Sequence, residues 1–224
     1  DTRKALRKTI EWRAATRPHA LRPGAVEVES QTGKMYFSGF DKLSRPVIYM
    51  YNQRQNTKDA DDQIRWVVYT LEMCIRHMGP GVEKVTLAID ATCWGFSNAV
   101  SIGTARKFLD TLSNHYPERL GRAAVFQPPR FFVAFFSLVS PFIDPVTKAK
   151  VSFVDPSAPA PAESAAATGG PWIALEDVFD RQALEKDCGG DSPASYSHAA
   201  YWPAVEAEFA LHKAQLLAKL APPQ

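Results

Sequence analysis

Ser97 and His115 are the residues of this sequence that come nearest to a catalytic nucleophile and its base. A serine hydrolase on an α/β sheet presents its nucleophile in a GxSxG turn, and the sequence contains no such turn. Dinucleotide-binding, Walker-type and HExxH motifs are missing as well. An α/β hydrolase is therefore the weakest hypothesis for the function, and we expect that the chain is not an enzyme.

Metal chemistry has no better support in the sequence. The five histidines never pair at the spacing of metal ligands, and the three cysteines form no CxxC pair. We therefore expect no metal site, no disulfide framework and no cofactor other than a bound ligand.

A phenylalanine-rich segment is the most unusual feature of the chain. Residues 131–136 contain four phenylalanines, too many for a single apolar stripe of a helix. One interpretation is a helix buried in the core. The other is a lid that covers an apolar ligand when closed and meets lipid tails when open. The sequence alone leaves both interpretations open.

Polar motifs flank this segment on both sides. Residues 116–121 read YPERLG and residues 141–150 read PFIDPVTKAK. With the apolar segment between them, they resemble the CRAL-TRIO family, and the fungal phosphatidylinositol transfer proteins in particular. The resemblance extends from about Leu6 to Val205 and includes the Trp12-Arg13 pair and the glycine pair at 189–190.

The resemblance implies a site for the headgroup of phosphatidylinositol. Guanidinium and ammonium groups suit a phosphodiester, whereas a carboxylate suits the inositol hydroxyls. The residues that match the family's headgroup ligands are Arg13, Glu118, Arg119, Thr147 and Lys150. We expect the pocket and its gate to be lined by Val68, Leu71, Ser97, Phe132, Phe135, Phe136, Val139 and Ile143.

The resemblance also implies a function. The protein is expected to bind phosphatidylinositol, with a second phospholipid or a sterol as a further ligand, and to transfer it between membranes. Presentation of the lipid for phosphoinositide signalling implies a transient membrane surface and a phosphoinositide kinase as partners, in a cytoplasmic protein that associates peripherally with membranes. The alternative is a sensor that presents lipid without transferring it.

The elements that must position these residues alternate between strand and helix. Strands are predicted over 34–40, 46–51, 85–91, 123–126 and 151–154, and helices over 59–78, 101–115 and 130–139. This order predicts an α/β domain of CRAL-TRIO type, with helices around a largely parallel sheet that encloses an apolar lipid pocket. Residues 1–30 are expected to end a truncated N-terminal helical region, 31–204 to form the lipid-binding lobe with a flexible insert at 155–171, and 205–224 to form a C-terminal helix.

Composition narrows the classes of partner. The 224 residues are 46% apolar, enough for one sizeable core. Lys and Arg total 26 against 24 Asp and Glu, and the two signs are interspersed, so we expect no nucleic acid as partner. No apolar run approaches the roughly 18 residues of a membrane-spanning helix.

Overall fold

The computed structural model describes residues 2–95, 99–157 and 171–220, with side chains described as far as residue 217. The strands are β1 (Met35–Phe40), β2 (Pro46–Tyr51), β3 (Val85–Asp90), β4 (Leu120–Phe126) and β5 (Val151–Val154). The helices are α1 (Thr2–Thr16), α2 (Glu27–Ser30), α3 (Ala60–Arg76), α4 (Ile102–His115), α5 (Arg130–Val139), α6 (Pro145–Lys148) and α7 (His198–Leu220).

The five strands form one mixed sheet in the order β1-β2-β3-β4-β5. β1 and β2 pair antiparallel as a hairpin, and β2 to β5 run parallel. The crossovers carry α3, α4 and α5, as the alternating pattern predicts. The predicted α/β fold with a largely parallel sheet is confirmed.

Side chains alternate between the two faces of the sheet, and each face has its own cover. Tyr36, Tyr49 and Ala124 face the segment 175–188, which forms a core with them. Ile48 and Val85 face α3 on the opposite side. β4, β5 and α5 continue that second side with a further cluster. The sheet therefore has helices on one face and an irregular segment on the other.

A buried carboxylate anchors the irregular segment. Glu185 is 4% exposed and accepts hydrogen bonds from the hydroxyls of Tyr36 (2.5 Å) and Tyr51 (2.9 Å). Burial raises the pKa of Glu185 above its ordinary value, against the opposing effect of the two tyrosine hydroxyls. The ionised form therefore costs stability in the folded chain.

This pKa shift predicts a pH-dependent effect of Glu185→Gln. A carboxyl whose pKa is higher in the folded than in the unfolded state destabilises the fold as pH rises above about 4.5, its unfolded value. Glutamine keeps an oxygen acceptor for both tyrosines but cannot ionise. The free energy of unfolding of the variant, relative to the parent chain, should therefore increase between pH 4.5 and neutrality in urea titrations. Glu11→Gln, at an exposed position of α1, is the matched control, and a flat difference for Glu185→Gln would contradict the assignment.

The glycine pair at 189–190 closes a tight turn. Gly189 has φ +82°, a conformation that favours glycine, and a Cβ on Gly190 would lie 1.9 Å from the backbone oxygen of Leu184. Gly190→Ala should therefore lower the free energy of unfolding by about 3 kcal/mol. Gly24→Ala is the control, because its Cβ would meet no atom within 4 Å. Equal stabilities of the two variants in denaturant titrations would refute this account of the turn.

Two predicted boundaries were wrong. α7 begins at His198 and not at 205, because the backbone oxygen of Ser197 accepts the first helical hydrogen bonds, from Ala200 and Tyr201. Pro203 lies inside the helix near its start, where the loss of one N–H donor is tolerated. β4 begins at Leu120, three residues before the predicted start.

The sequence also predicted a flexible insert and no membrane-spanning helix. Most of the insert predicted at 155–171 falls on residues 158–170, which lie outside the described residues. Within the described ranges, none of the helices combines the length and the apolar character needed to cross a membrane.

Candidate functional site

A large chamber lies between the sheet and the helices α3 and α4. It comprises two adjoining cavities of about 230 and 310 Å³. The residues that line both cavities are Met35, Met50, Val67, Phe108, Leu109 and Ile143. Because they share this wall, we treat the two cavities as halves of one chamber.

The wall of the chamber is mostly apolar. The strands contribute Ile48, Leu87 and Ile89 from one face of the sheet, and α4 contributes Ala105 and Leu112 from the opposite side. The combined size and lining suit a ligand with a long apolar body.

Three of the predicted lining residues contact the chamber. Leu71 lines one half, Val139 the other, and Ile143 both. Val68 does not line it and is buried in the core cluster of α3, so this prediction was wrong by one position. A single residue turns a helix by about 100°, and the neighbouring Val67 therefore takes the place on the chamber wall.

The phenylalanines of α5 also proved to lie outside the chamber wall. Phe132 and Phe136 are buried in a separate cluster, where Phe136 packs edge-on against Phe153 of β5. Phe132 and Phe135 contact the indole ring of Trp94, itself a chamber residue. The sequence does not determine the rotation of α5 about its axis, and therefore could not predict which of its side chains face the chamber.

One end of the chamber carries a salt bridge between two predicted residues. Lys150 Nζ lies 3.0 Å from Glu118 Oε2, and both residues line this end. The lysine side chain is 15% exposed and the glutamate side chain 70% exposed. Since the partner carboxylate is well solvated, the pair costs little to break, and the ammonium group can change partners.

Thr147 and Arg119 line the same end but are already engaged. The hydroxyl and backbone N–H of Thr147 bond Asp144, which caps α6, and hold the pKa of Asp144 below its ordinary value. Arg119 donates from its guanidinium to the backbone oxygen of Glu83 (2.8 Å). Glu118, next to Arg119 in the chain, has φ 58°, an uncommon value for a residue other than glycine.

Arg13 does not line the chamber and is connected to this end only through other residues. Its guanidinium forms a 2.9 Å salt bridge with Glu72, and Tyr116 donates to the same carboxylate oxygen at 2.8 Å. Tyr116 lines the chamber, whereas Arg13 and Glu72 do not. Burial, with the charge of Glu72 beside it, raises the pKa of Tyr116, so its hydroxyl stays a donor at neutral pH. Trp12 fixes the position of α1 here by stacking on His115.

Glu72 was missed by the sequence prediction, although a signal existed. It is 7% exposed and lies in the most apolar stretch of α3. A carboxylate at such a position needs a charged or hydrogen-bonding partner, since an unpaired buried charge is costly. That requirement alone would have directed attention to a cation from another element.

The opposite end of the chamber is polar but electrically compensated. Lys34 is buried and paired with Glu29, and its remaining hydrogen bonds go to Gln55 (2.6 Å) and Thr57 (2.8 Å). Asn52 and Gln63 line the same half. This end therefore offers neutral amide groups and no cation without a partner among the described residues.

The remaining candidates are the hydrolase pair, Ser97 and His115, and a metal site. Ser97 lies outside the described residues, and the ring of His115 stacks on Trp12 with centroids 4.2 Å apart. Within residues 2–95, 99–157 and 171–220, no group of three or more His, Cys, Asp or Glu side chains could hold a metal ion.

The arrangement can therefore enclose an amphipathic molecule. An apolar body would fill the chamber, and a headgroup would lie where the ammonium of Lys150 and the carboxylate of Glu118 can separate to bind it. Ion pairing with a phosphodiester and hydrogen bonding to hydroxyl groups are the interactions that these side chains offer.

Comparisons with known proteins agree with this geometry. Residues 30–190 match the family model described as the CRAL/TRIO domain. A CRAL-TRIO domain-containing protein of Schizosaccharomyces pombe is 35% identical over 91% of this chain, and phosphatidylinositol transfer protein PDR17 of Saccharomyces cerevisiae is 32% identical over 89%. This chain spans 18% of the length of the first protein and 55% of the second.

A solved structure supports the fold. The crystal structure of Sfh5 aligns with a TM-score of 0.58 and 16% sequence identity, over 67% of this chain and 59% of that one. At this identity the likeness concerns the arrangement of strands and helices alone.

Proposed function

Because this chain belongs to the CRAL/TRIO domain family of lipid-binding and lipid-transfer proteins, we propose that it binds phosphatidylinositol and moves it between membranes. The ligand is bound with its acyl chains in the chamber and its headgroup at the end lined by Glu118 and Lys150. The protein acts without enzymatic chemistry, as a cytoplasmic carrier that contacts membranes peripherally.

The observation that carries the proposal is the pairing of an apolar chamber with one exchangeable ion pair at its end. Burying an acyl chain is worth about 0.8 kcal/mol per methylene relative to water, but a chain taken from a bilayer was already out of water. Headgroup contacts therefore decide which lipid stays bound. Lys150 supplies a cation for the phosphodiester, and Glu118 supplies an acceptor for inositol hydroxyls.

Exchange requires that the chamber open at a membrane. α5 and the residues after it form the movable wall in this proposal, because Leu138, Phe142 and Val146 are between 45% and 59% exposed there. Exposed apolar side chains of this kind can enter the headgroup region of a bilayer. Acyl chains then pass between bilayer and chamber without crossing water, and closure restores the headgroup contacts.

Transfer of labelled phosphatidylinositol between donor and acceptor vesicles tests the proposal. The protein should accelerate transfer in proportion to its concentration. A parallel assay of a phosphoinositide kinase on the same vesicles separates a carrier from the alternative, a sensor that presents lipid: kinase stimulation without transfer favours the sensor. Absence of both effects would refute the proposal.

A second ligand is a finer part of the same proposal. The neutral amide end of the chamber, with Asn52 and Gln63, suits a hydroxyl or carbonyl group better than an anion. A second phospholipid or a sterol would be identified by displacement of labelled phosphatidylinositol from the purified protein.

A further inference from the structure

A groove distant from the chamber lies between α7 and the tight turn at residues 18–22. Its volume is about 190 Å³, and none of its lining residues lines the chamber. From α7 come Phe209, His212, Lys213 and Leu216, which share one helical face because they are three, four and seven positions apart. The turn contributes His19, Ala20 and Arg22.

The groove concentrates basic side chains, and none of its lining residues is acidic. His19, Arg22, His212 and Lys213 form no ion pair or side-chain hydrogen bond with any residue in the described part of the chain. Glu208 lies one turn from His212, but Arg76 already engages it through hydrogen bonds of 2.6 and 2.9 Å.

Two cations elsewhere in the molecule do face a carboxylate. Lys150 faces Glu118 in the chamber, and Arg54 faces Asp187 at 2.7 Å. The groove is different in this respect, since no acidic side chain is among its lining residues.

We propose that this groove binds a phosphate monoester. Arg22 offers a planar pair of donors, Lys213 a point charge and the two imidazoles further N–H donors, which together suit a dianion with several acceptor oxygens. Phe209 and Leu216 give the groove an apolar wall against which the organic part of the ester can pack. A carboxylate would use fewer of these donors.

The imidazole of His212 responds to the charges around it. Burial lowers its pKa, and the charges of Arg76 and His19 act in the same direction, whereas Glu208 and Glu72 oppose them. A bound anion would reverse the balance of charge around the imidazole.

Calorimetric titration with inorganic pyrophosphate tests the proposal on the full chain as purified. Arg22→Ala combined with Lys213→Ala should weaken binding at least about tenfold, because two charge-assisted contacts are lost. Both side chains are exposed, so the substitutions leave the core intact. Lys4→Ala combined with Arg7→Ala removes the same charge from exposed positions of α1 and should leave the affinity unchanged.

Two further measurements make the assignment specific. The imidazole NMR signals of His19 and His212 should shift with pyrophosphate, and those of His77 should not. Vesicles of phosphatidylcholine with a few mole per cent of phosphatidylinositol 4-phosphate separate the sources: capture that the groove variant loses assigns a membrane headgroup, and binding of pyrophosphate without capture assigns a soluble phosphate.

The proposal is overturned if the parent chain does not bind pyrophosphate, or if the groove variant binds it as tightly as the parent. It does not rest on the proposed lipid transfer. Since the groove and the chamber share no lining residue, the groove variant should transfer phosphatidylinositol at the parent rate.

Discussion

Combining Arg13→Ala with Lys150→Ala should reduce transfer of phosphatidylinositol at least about tenfold, because loss of Lys150 removes a charge-assisted contact to the phosphodiester worth about 1.5–3 kcal/mol. Lys150 acts directly, as the cation that can leave Glu118 for a phosphodiester. Arg13 acts indirectly, through Glu72 and Tyr116.

The two single variants separate these contributions. Lys150→Ala should account for most of the loss of transfer, whereas Arg13→Ala should also lower stability, because it leaves Glu72 buried with Tyr116 as its remaining partner. Lys58→Ala combined with Arg65→Ala removes the same two charges at exposed positions and serves as control. Binding of a lipid without a phosphoinositol headgroup should survive in the Arg13/Lys150 variant, and unchanged phosphatidylinositol transfer would refute the headgroup assignment.

Filling the region where the two halves of the chamber meet should remove the bound lipid. Val67 of α3 and Leu109 of α4 line both halves of the chamber. Replacing both by Trp fills the space where the halves join, and we expect the lipid extracted per chain to fall at least about tenfold. The cost of added volume is limited where the side chain can enter a cavity, so the variant should fold.

The control for this variant places the same substitutions on the surface. Val28→Trp and Leu43→Trp change residues that are 58% and 63% exposed. They should leave lipid content unchanged, as measured by phosphorus analysis and mass spectrometry of the extracts. Full lipid content in the Val67/Leu109 variant would mean that the ligand does not pass through this part of the chamber.

The sequence predicted the sheet well because strand and helix patterns are local. The alternation of strands and helices indicated the parallel order, and Asp144 and Asp59 were found at the helix starts that their side chains cap. The last helix begins at His198, before the predicted start, because the prediction followed the apolar stripe that begins at Val205.

The site was harder to predict, because it depends on which way side chains point. The family resemblance led to Glu118 and Lys150, which the fold brings to 3.0 Å although they are 32 positions apart. The resemblance did not predict the salt bridge between Arg13 and Glu72, nor that Val67 rather than Val68 lines the chamber. Those details follow from the rotation of α3 against the sheet, and a one-residue error in a helix exchanges a chamber residue for a core residue.

The central claim is that the chamber is a lipid site, and mass spectrometry of organic extracts from the purified chain tests it most directly. We expect about one lipid per chain, with phosphatidylinositol enriched above its share of the host's lipids. A purified, folded chain that yields no lipid, and takes none up from vesicles, would contradict the claim.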